Sequence, residues 1–449
     1  MAETGIETDR SPVAAPGMSP GRRLWNILAG SGGNLVEWFD WFVYTSFLIY
    51  FAPIFFPDAD PTAQLLNGAV IFGVGFIARP LGAWLMGVYA DKAGRKAALT
   101  LSVSLMCFGS LMIALTPGHA TIGIFAPIIL AVARILQGLS VGGEYGASAT
   151  YVSEMATRRH RGFWSGFLYV TLIAGQLLAG LLLILLQNLL SPEALEAWGW
   201  RIPFAIGAAL AVIVFWMRRD MHETTSFVAA GGADEAKERG KTMLLFTKYP
   251  KETLMIVVLT AAGGVGFYTF TAYMLPFLVN SAAGPTGEGF SRPDAAQIST
   301  TALFCFMIFQ LLVGALSDIV GRRVVLAGSF VLLALSAYPI YQALQGATSY
   351  WQAVLLLVVP LFLLSGYTSI SAIFKAELFP AQVRALGVAL PYGLAQAIFG
   401  GNAATAALSF KNAGNEGGYF VALTVLMAIA ALTAIILGDT RKKSLILED

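Results

Sequence analysis

Apolar stretches long enough to cross a lipid bilayer recur along almost the whole sequence. A transmembrane helix needs about 20 consecutive apolar residues. In lipid, a backbone can satisfy its hydrogen bonds only as helices or as a closed barrel. Only 12% of the 449 residues are charged, whereas soluble domains carry about 25%. The sequence therefore predicts an all-α polytopic membrane protein.

Hydropathy predicts twelve transmembrane helices, near 24–52, 66–89, 97–116, 122–145, 163–190, 202–217, 253–279, 298–316, 324–344, 351–373, 386–409 and 419–438. A polar segment after the sixth helix divides the chain into two six-helix repeats. The predicted parts are a disordered cytoplasmic tail at 1–23, an N-terminal half at 24–217, a cytoplasmic linker at 218–251, a C-terminal half at 252–438 and a cytoplasmic tail at 439–449.

Lysine and arginine are distributed unevenly between the two sets of loops. The tails, the linker and the loops that follow even-numbered helices hold 23 of them, whereas the opposite loops hold Arg201, Arg292 and Lys411. Because cytoplasmic loops carry the excess of positive charge, both termini are expected in the cytoplasm. The net charge is only +2, which gives no broad basic field of the kind that binds nucleic acid.

Two short motifs occur once in each predicted half. The pattern Gly-x-x-x-Asp-x-x-Gly-Arg-Lys/Arg stands at 87–96 and again at 314–323, an offset of 227 residues. Glu154 and Arg161 are seven residues apart, as are Glu377 and Arg384, an offset of 223. Repeated halves are typical of transporters, whose binding site lies near mid-bilayer where the halves meet.

The first predicted helix carries ionisable residues near its middle. Asn34, Glu37 and Asp40 are spaced so that they share one broad face of a helix. Arg79 and Arg134 lie at a similar predicted depth and would balance the two carboxylates. A buried packing network would explain this pattern, but an intramembrane ionisable residue is by default a candidate functional site.

These motifs resemble those of the major facilitator superfamily. The loops at 87–96 and 314–323 are similar to its signature, and Arg134-x-x-Gln137-Gly138 resembles its second motif. The stretches at 33–40, 79–82, 137–145 and 198–204 look like the metabolite–proton symporter branch. The resemblance covers nearly the whole chain. It implies a monomeric, proton-coupled symporter of the bacterial inner membrane that works by alternating access. The solute it implies is a small dicarboxylate, with α-ketoglutarate as the first candidate.

The residues and the resemblance together predict three groups of functional residues. Substrate binding is assigned to Arg79, Lys375, Tyr268, Gln176, Asn34 and Arg134. Proton coupling is assigned to Glu37, Asp40 and Glu144. The resemblance implies a cytoplasmic conformational latch made of Gly87, Asp91, Gly94, Arg95, Asp318, Arg322, Glu154, Arg161, Glu377 and Arg384. Lys375 is equally compatible with a lysine that snorkels to the cytoplasm, and Arg134 with a structural role.

Other functions share parts of this pattern. The same fold could carry citrate, shikimate or a betaine or proline osmolyte, and a non-transporting membrane sensor is a further alternative. A sensor would need a large cytoplasmic output domain, for which the linker and tails are too short. The three histidines form no metal-spaced cluster, and no nucleophile–base arrangement stands out. We therefore expect neither an enzyme nor a bound metal or cofactor.

Overall fold

The computed structural model describes residues 19–57, 61–229 and 239–446, and its backbone there consists of helices and connecting turns. The long helices are α1 (Pro20–Phe55), α2 (Pro61–Ala93), α3 (Arg95–Leu115), α4 (Phe125–Met155), α5 (Arg161–Leu189), α6 (Arg201–Arg219), α7 (Pro250–Tyr268), α8 (Arg292–Val320), α9 (Arg322–Gln345), α10 (Tyr350–Thr368), α11 (Arg384–Ala395) and α12 (Glu416–Leu437). Helix α1 begins at Pro20, four residues before the predicted start of the first span; the rest of the predicted tail, 1–18, lies outside the described residues.

Several long helices continue past a break. Helix α7 passes through a π turn at Thr269–Tyr273 into Met274–Asn280, α10 into Ser371–Ala376, and α11 through a π turn at Gln396–Gly400 into Ala403–Asn412. Shorter helices lie at His119–Ile122, Arg158–His160, Pro192–Ala194, Leu195–Gly199, Thr225–Ala229, Met243–Thr247 and Thr440–Lys443. π turns inside α-helices are frequent at functional sites.

Among the described residues, eleven helical segments are long and apolar enough to cross a membrane. They coincide with the predicted spans except the eleventh, at 386–409, which the structure forms as the two-part helix that starts with α11. Apolar side chains are exposed along the outer faces: Ile77 is 78% exposed, Ile319 79% and Leu335 70%. Such outward positions suit contact with lipid tails, which are as apolar as leucine.

Glycines bring α2 and α4 into close contact. A Cβ atom on Gly138 would overlap the carbonyl of Gly75, and one on Gly142 would overlap the carbonyl of Arg79. Helices in membranes associate through such small residues because their backbones can then approach closely. The packing fixes Arg79 against the centre of the bundle, where it is only 5% exposed.

The two halves meet along α2 with α11, α4 with α11, and α5 with α8. Small residues again allow the approach, since Gly146 faces Ala389 and Gly162 faces Gly314. The loops at 93–95, 156–160, 320–322 and 377–383 lie at one end of this interface, which we call the basic end. Gly94 and Gly321 turn the chain there with φ of 107° and 101°, a conformation that favours glycine.

The described parts of the predicted linker pack on the basic end. The N–H of Gly240 donates to the carbonyl of Gln382 at 3.0 Å. The indole of Trp84 donates to the hydroxyl of Thr242 at 2.9 Å. Residues 230–238 of the linker lie outside the described ranges. These bonds tie the linker to both halves, because Trp84 belongs to α2 and Gln382 to the loop before α11.

Candidate functional site

Glu37 is buried in the middle of α1 and is held by hydroxyl groups. It is 2% exposed. Its Oε1 accepts hydrogen bonds from Ser140 at 2.7 Å and from Ser102 at 3.3 Å. Glu144 and Arg218 are the charged groups close enough to affect it electrostatically. Arg79 and Arg134, which the sequence places at the same depth, form no ion pair with it among the described contacts.

Asp40 lies one turn further along α1 and is bonded more firmly. It accepts from the hydroxyl of Ser110 at 2.6 Å and from the amide of Gln137. Arg134 in turn donates to the other end of that amide, to Oε1 of Gln137, at 2.7 Å. Arg134 is therefore linked to Asp40 through Gln137 rather than by a direct ion pair, in keeping with a structural role.

Arg79 and Arg134 lie on either side of Trp41. The guanidinium carbon of Arg79 is 3.9 Å from the ring centroid of Trp41 and 4.1 Å from that of Phe76. That of Arg134 is 4.2 Å from Trp41. Cation–π contacts orient both groups. Within the described residues, Nε and Nη2 of each arginine are buried without an acceptor, and such unpaired donors favour binding of an anion.

Glu144 and Arg218 form a further ion pair beside Glu37. Both carboxylate oxygens of Glu144 accept from Arg218, and Ser148 donates to Glu144 at 2.9 Å. A Cβ atom on Gly33 would overlap both members of the pair, so the glycine at this position of α1 gives the two side chains room to meet. Glu144, which the sequence assigns to proton coupling, is neutralised here by an arginine.

Lys375 lies in the short helix after α10 and is fully buried, so it does not snorkel to the surface. Its Nζ donates to the hydroxyls of Ser371 at 2.8 Å, Tyr145 at 3.1 Å and Tyr367 at 3.4 Å. It is 4.5 Å from the ring centroid of Tyr392. Among the described contacts no carboxylate pairs with it. Lys375 is thus a buried cation of the second half, held by aromatic hydroxyls.

Tyr145 and Tyr392 stack face to face across the interface between the halves. Their ring centroids are 3.6 Å apart and their planes differ by 11°. Tyr145 belongs to α4 of the first half and Tyr392 to α11 of the second. The hydroxyl of Tyr145 also meets Ser371 at 2.8 Å. The stack joins the halves directly in front of Lys375.

A central cavity lies against these groups and contains about 360 Å³ of space not filled by atoms. Its lining residues are Asn34, Glu37, Trp38, Arg79, Val141, Gly142, Tyr145, Tyr392, Gly393 and Gln396. Three predicted site residues therefore line one space: Asn34, Glu37 and Arg79. Lys375 reaches this space through Tyr145, which accepts its hydrogen bond and lines the cavity.

Three other predicted binding residues do not line the central cavity. Arg134 is among the aromatic rings described above, Gln176 lies in α5 with Oε1 buried and without a partner among the described residues, and Tyr268 is half-buried at the end of α7. The sequence assigned no binding role to Trp38 or Tyr392, although Trp38 lies in the motif at 33–40. Gln396 was a candidate for the cavity lining, as a polar residue inside a predicted span.

At the basic end, each repeated loop caps a helix of the opposite half. Asp91 accepts from the backbone N–H groups of Ala385 at 3.1 Å and Leu386 at 3.0 Å, at the start of α11. Arg95 pairs with the same carboxylate at 3.2 Å. A carboxylate at a helix N-terminus satisfies otherwise unpaired donors and is favoured by the helix dipole.

The second loop repeats this arrangement. Asp318 accepts from the N–H groups of Gly162 at 2.8 Å and Phe163 at 3.0 Å, at the start of α5. Arg322 pairs with Asp318 at 2.9 Å. A pseudo-two-fold axis therefore relates the two loops, each of which caps a helix of the other half. Together they hold the basic end closed.

Glu154 and Glu377 add to this closure. The sequence spacing groups Glu154 with Arg161 and Glu377 with Arg384. The structure pairs Glu154 with Arg384 of the opposite half and, at 3.3 Å, with Arg95. Glu377 interacts electrostatically with Arg322 and with Arg161 of the opposite half. Each glutamate thus meets an arginine of the opposite half as well as one of its own half.

An acidic residue followed by threonine completes each side, and the sequence analysis missed it. The hydroxyl of Thr224 donates to Glu154 at 2.5 Å, and that of Thr440 donates to Glu377. Glu223 accepts from the N–H of Lys96 at 3.2 Å. The pairs at 223–224 and 439–440 are 216 residues apart. That repeat was the available signal, but a dipeptide is too short to stand out on its own.

Comparison with known proteins places these features in context. The sequence profile of the family described as "Sugar (and other) transporter" matches residues 25–245. The alpha-ketoglutarate permease of Escherichia coli strain K12 is 48% identical over 437 residues, which cover 97% of this chain and 98% of the permease. The citrate-proton symporter of Klebsiella pneumoniae is 31% identical, with 94% of each chain covered.

Solved structures share the fold. A structure of the major facilitator superfamily proton:xylose symporter XylE, bound to 6-bromo-6-deoxy-D-glucose, matches with a TM-score of 0.75 at 18% identity, covering 95% of this chain and 98% of that one. A structure of the Escherichia coli fucose:proton symporter FucP matches with a TM-score of 0.69 at 16% identity, covering 92% and 100%. Because the sequence identities are this low, these two structures show only that the fold is shared.

Proposed function

Because the chain belongs to the major facilitator superfamily, we propose that it imports a small dicarboxylate together with protons, by alternating access, and that α-ketoglutarate is this solute. The chain is a transporter and not an enzyme. Its site of action is the bacterial inner membrane, which it crosses several times. The permease of Escherichia coli, at 48% identity, supports the choice of solute.

The topology we propose has twelve transmembrane helices and both termini in the cytoplasm. The two-part helix of residues 384–412 is the eleventh crossing, and the basic end faces the cytoplasm in accord with the positive-inside rule. The six-helix halves at 24–217 and 252–438 are the two bodies that rock against each other. The protein acts as a monomer, because both halves of one chain supply the central cavity.

One observation carries the proposal: each half buries a cation that no carboxylate of the described residues neutralises. Arg79 of the first half lines the central cavity with two unpaired donors, and Lys375 of the second half lies behind Tyr145. A dicarboxylate has one anionic group for each. Bound between them, it would compensate both buried charges and draw the halves together.

Arg79 is the primary anion site in this scheme, since its planar guanidinium can bind a carboxylate with two parallel hydrogen bonds. Asn34, Gln396 and Trp38 shape the same cavity. Lys375 receives the second carboxylate when the stack of Tyr145 and Tyr392 opens. That stack spans the halves and acts as a gate between the cavity and the basic end.

Glu37 is the proton carrier that the geometry favours over Asp40. It lines the central cavity, and its carboxylate is held by serine hydroxyls, which can donate to either protonation state. Asp40 is bonded to Gln137 and Ser110 and lies outside the cavity lining. Glu144, the other carboxylate beside Glu37, is paired with Arg218, which leaves Glu37 as the group there that can take up the proton.

Alternating access then depends on the latch at the basic end. Asp91 and Asp318 each cap a helix of the other half, so rocking the halves apart breaks both caps together. Binding of proton and solute must outweigh this loss for the cytoplasmic side to open. The predicted latch thus consists of two equivalent clasps: Asp91 with the start of α11, and Asp318 with the start of α5.

A second solute class is the strongest alternative. Citrate-proton symporters and proline/betaine transporters are among the relatives. Two buried cations match a dicarboxylate better than a tricarboxylate such as citrate, and the aromatic rings that would form a betaine cage are already in contact with Arg79. Shikimate carries one carboxylate and would leave Lys375 uncompensated. A membrane sensor finds no supporting feature.

The test is uptake of labelled α-ketoglutarate into proteoliposomes with and without an inward proton gradient. We expect gradient-driven uptake by the wild type, a loss of about 100-fold in Arg79→Ala since two charge-assisted hydrogen bonds are removed, and near wild-type uptake in the exposed control Arg292→Gln. Uptake of citrate, shikimate or betaine in place of α-ketoglutarate would overturn the solute. Equal rates with and without the gradient would overturn proton coupling.

A further inference from the structure

A second cavity, which we call the arginine pocket, opens at the basic end and is lined almost wholly by charged side chains. It contains about 800 Å³ of space not filled by atoms. Its lining residues are Arg158, Arg159, Arg161, Asp318, Glu377, Arg441 and Lys442. Five of these are cations and two are carboxylates, so the pocket has an excess of three positive charges.

The two carboxylates of the pocket are already engaged by the latch. Asp318 caps the start of α5 and pairs with Arg322, and Glu377 accepts from Thr440. Within the described part of the chain, no carboxylate forms an ion pair with Arg158, Arg159 or Lys442. Three cations therefore border one cavity without compensation.

The internal repeat supplies a control for this charge. Aligning Glu154 with Glu377 places Ala381 where the first half has Arg158, and Gln382 where it has Arg159. The same helix caps are present at both positions, and at each the glutamate interacts with an arginine of the opposite half. The two arginines are therefore not required by the latch.

The tail after α12 differs from its repeat in the same way. Aligning Thr224 with Thr440 places Thr225 opposite Arg441 and Ser226 opposite Lys442. Four positions that are polar or apolar on one side of the pseudo-two-fold axis are thus basic on the other. The extra charge converges on one cavity, although it comes from the loop before α5 and from the tail after α12.

The neighbourhood of the two positions differs as well. On the uncharged side the linker packs down, since Gly240 bonds to the carbonyl of Gln382 and Arg239 bonds to that of Phe227 at 3.1 Å. On the charged side the arginine pocket is open. Ile319, which follows the pocket residue Asp318 in α8, has a side chain that is 79% exposed on an apolar outer face. The pocket therefore opens at the level where a lipid surface would begin.

We propose that the arginine pocket binds a phosphate group of an anionic ligand. Arginine forks match phosphate oxygens with paired hydrogen bonds, and basic pockets at the cytoplasmic ends of membrane helices suit phosphate head groups. Arg158 and Arg159 belong to the first half and Lys442 to the second. A phosphate held by all three bridges the halves and stabilises the closed basic end, whichever solute is carried.

The test variant takes its residues from the uncharged side of the repeat: Arg158→Ala, Arg159→Gln and Lys442→Ser in one chain. Arg441 is kept because it bonds to the carbonyl of Asp318 and pairs with Asp439. The control, Lys241→Gln, Lys248→Gln and Lys251→Gln, removes three exposed charges from the linker region of the same end. Equal melting temperatures without ligand would establish that both variants are folded.

Binding is measured on purified full-length protein by native mass spectrometry, with phosphatidylglycerol, phosphatidylcholine and inorganic pyrophosphate as probes. We expect the wild type and the control to bind an anionic probe. The test variant should bind it at least about tenfold more weakly, since each of the removed cations attracts an anionic head group near the membrane surface. Preference for phosphatidylglycerol identifies a lipid head group, and preference for pyrophosphate a soluble phosphate.

Hydrogen exchange locates the bound group. Amides at 158–161 and 440–446 should exchange more slowly when the probe is added to the wild type, and not in the test variant. Equal weakening in the control and the test variant would mean that only diffuse charge attracts the probe, and this would overturn the proposal. The proposal would also be overturned if the wild type bound none of the anionic probes tightly.

Discussion

The basic end and the centre of the bundle treat the internal repeat in opposite ways. At the basic end the halves are near copies, since Asp91 and Asp318 cap equivalent helices and Glu154 and Glu377 meet arginines of the opposite half. At the centre, the first half buries three carboxylates and three guanidinium groups, whereas the second half contributes Lys375. The repeat is therefore kept where the halves contact each other at the basic end and is lost where the central charges are buried.

The charged centre of the first half is nearly self-compensated. Glu144 pairs with Arg218, and Asp40 is linked to Arg134 through Gln137. Glu37 and Arg79 face the same cavity, and neither forms an ion pair with another described residue. These two, with Lys375 across the interface, are the groups whose charge can change partner during a cycle.

Replacement of Lys375 should have the largest effect, because among the described residues it is the buried cation of the second half that no carboxylate pairs with. We expect Lys375→Gln to lower α-ketoglutarate uptake by about 100-fold, since a buried carboxylate would lose its charge-assisted partner. Lys375→Arg should retain part of the activity. Lys411→Gln, at the other end of the second half, is the control, and uptake close to wild type in Lys375→Gln would place the whole anion site in the first half.

Glu37 and Asp40 should separate in their effect on coupling. Glu37→Gln removes the ionisable group of the cavity, so we expect gradient-driven accumulation to fall at least about tenfold while exchange of internal for external solute continues. Asp40→Asn should lower protein stability more than coupling, because it disturbs bonds to Gln137 and Ser110. Accumulation and exchange are measured in the same proteoliposomes; loss of accumulation in Asp40→Asn alone would reverse the assignment.

The two clasps of the basic end should respond alike. Asp91→Asn and Asp318→Asn each weaken a charge-assisted cap, worth about 1.5–3 kcal/mol, so we expect transport rates to change by about three- to tenfold, in the same direction in both. Alkylation of a cysteine placed at Ser371 would report how often the basic end opens. Opposite effects of the two substitutions on alkylation would contradict the two-fold arrangement.

The smallest effect concerns packing in the charged centre. A methyl group on Gly33 would overlap Arg218 and Glu144, so Gly33→Ala should lower the free energy of unfolding by about 1–3 kcal/mol. Gly73→Ala is the matched control, since no atom lies within 4 Å of its added Cβ. Thermal unfolding in detergent compares the two, and equal melting temperatures would show that the ion pair can move away from α1.

Much of this arrangement was predictable from the sequence because hydropathy and repeats are local patterns. The spans followed from the length of apolar runs, and the latch followed from motifs that occur twice at matched offsets. Arg79 and Glu37 stood out because charged residues are costly in a membrane. The partners of the buried charges were harder to predict. Asp40 of α1, for example, is joined to Arg134 by Gln137, an uncharged residue of α4.

The sequence by itself determined the class of the protein, its internal repeat and the charges inside its predicted spans, namely Glu37, Asp40, Arg79 and Arg134, because the cost of placing polar groups in lipid constrains each segment separately. Tertiary structure alone decided that Glu154 meets Arg384 rather than Arg161, that Tyr145 stacks on Tyr392, and that Lys375 is buried. Those contacts join residues more than 200 positions apart. Their geometry depends on how two helix bundles dock, and no local pattern encodes it.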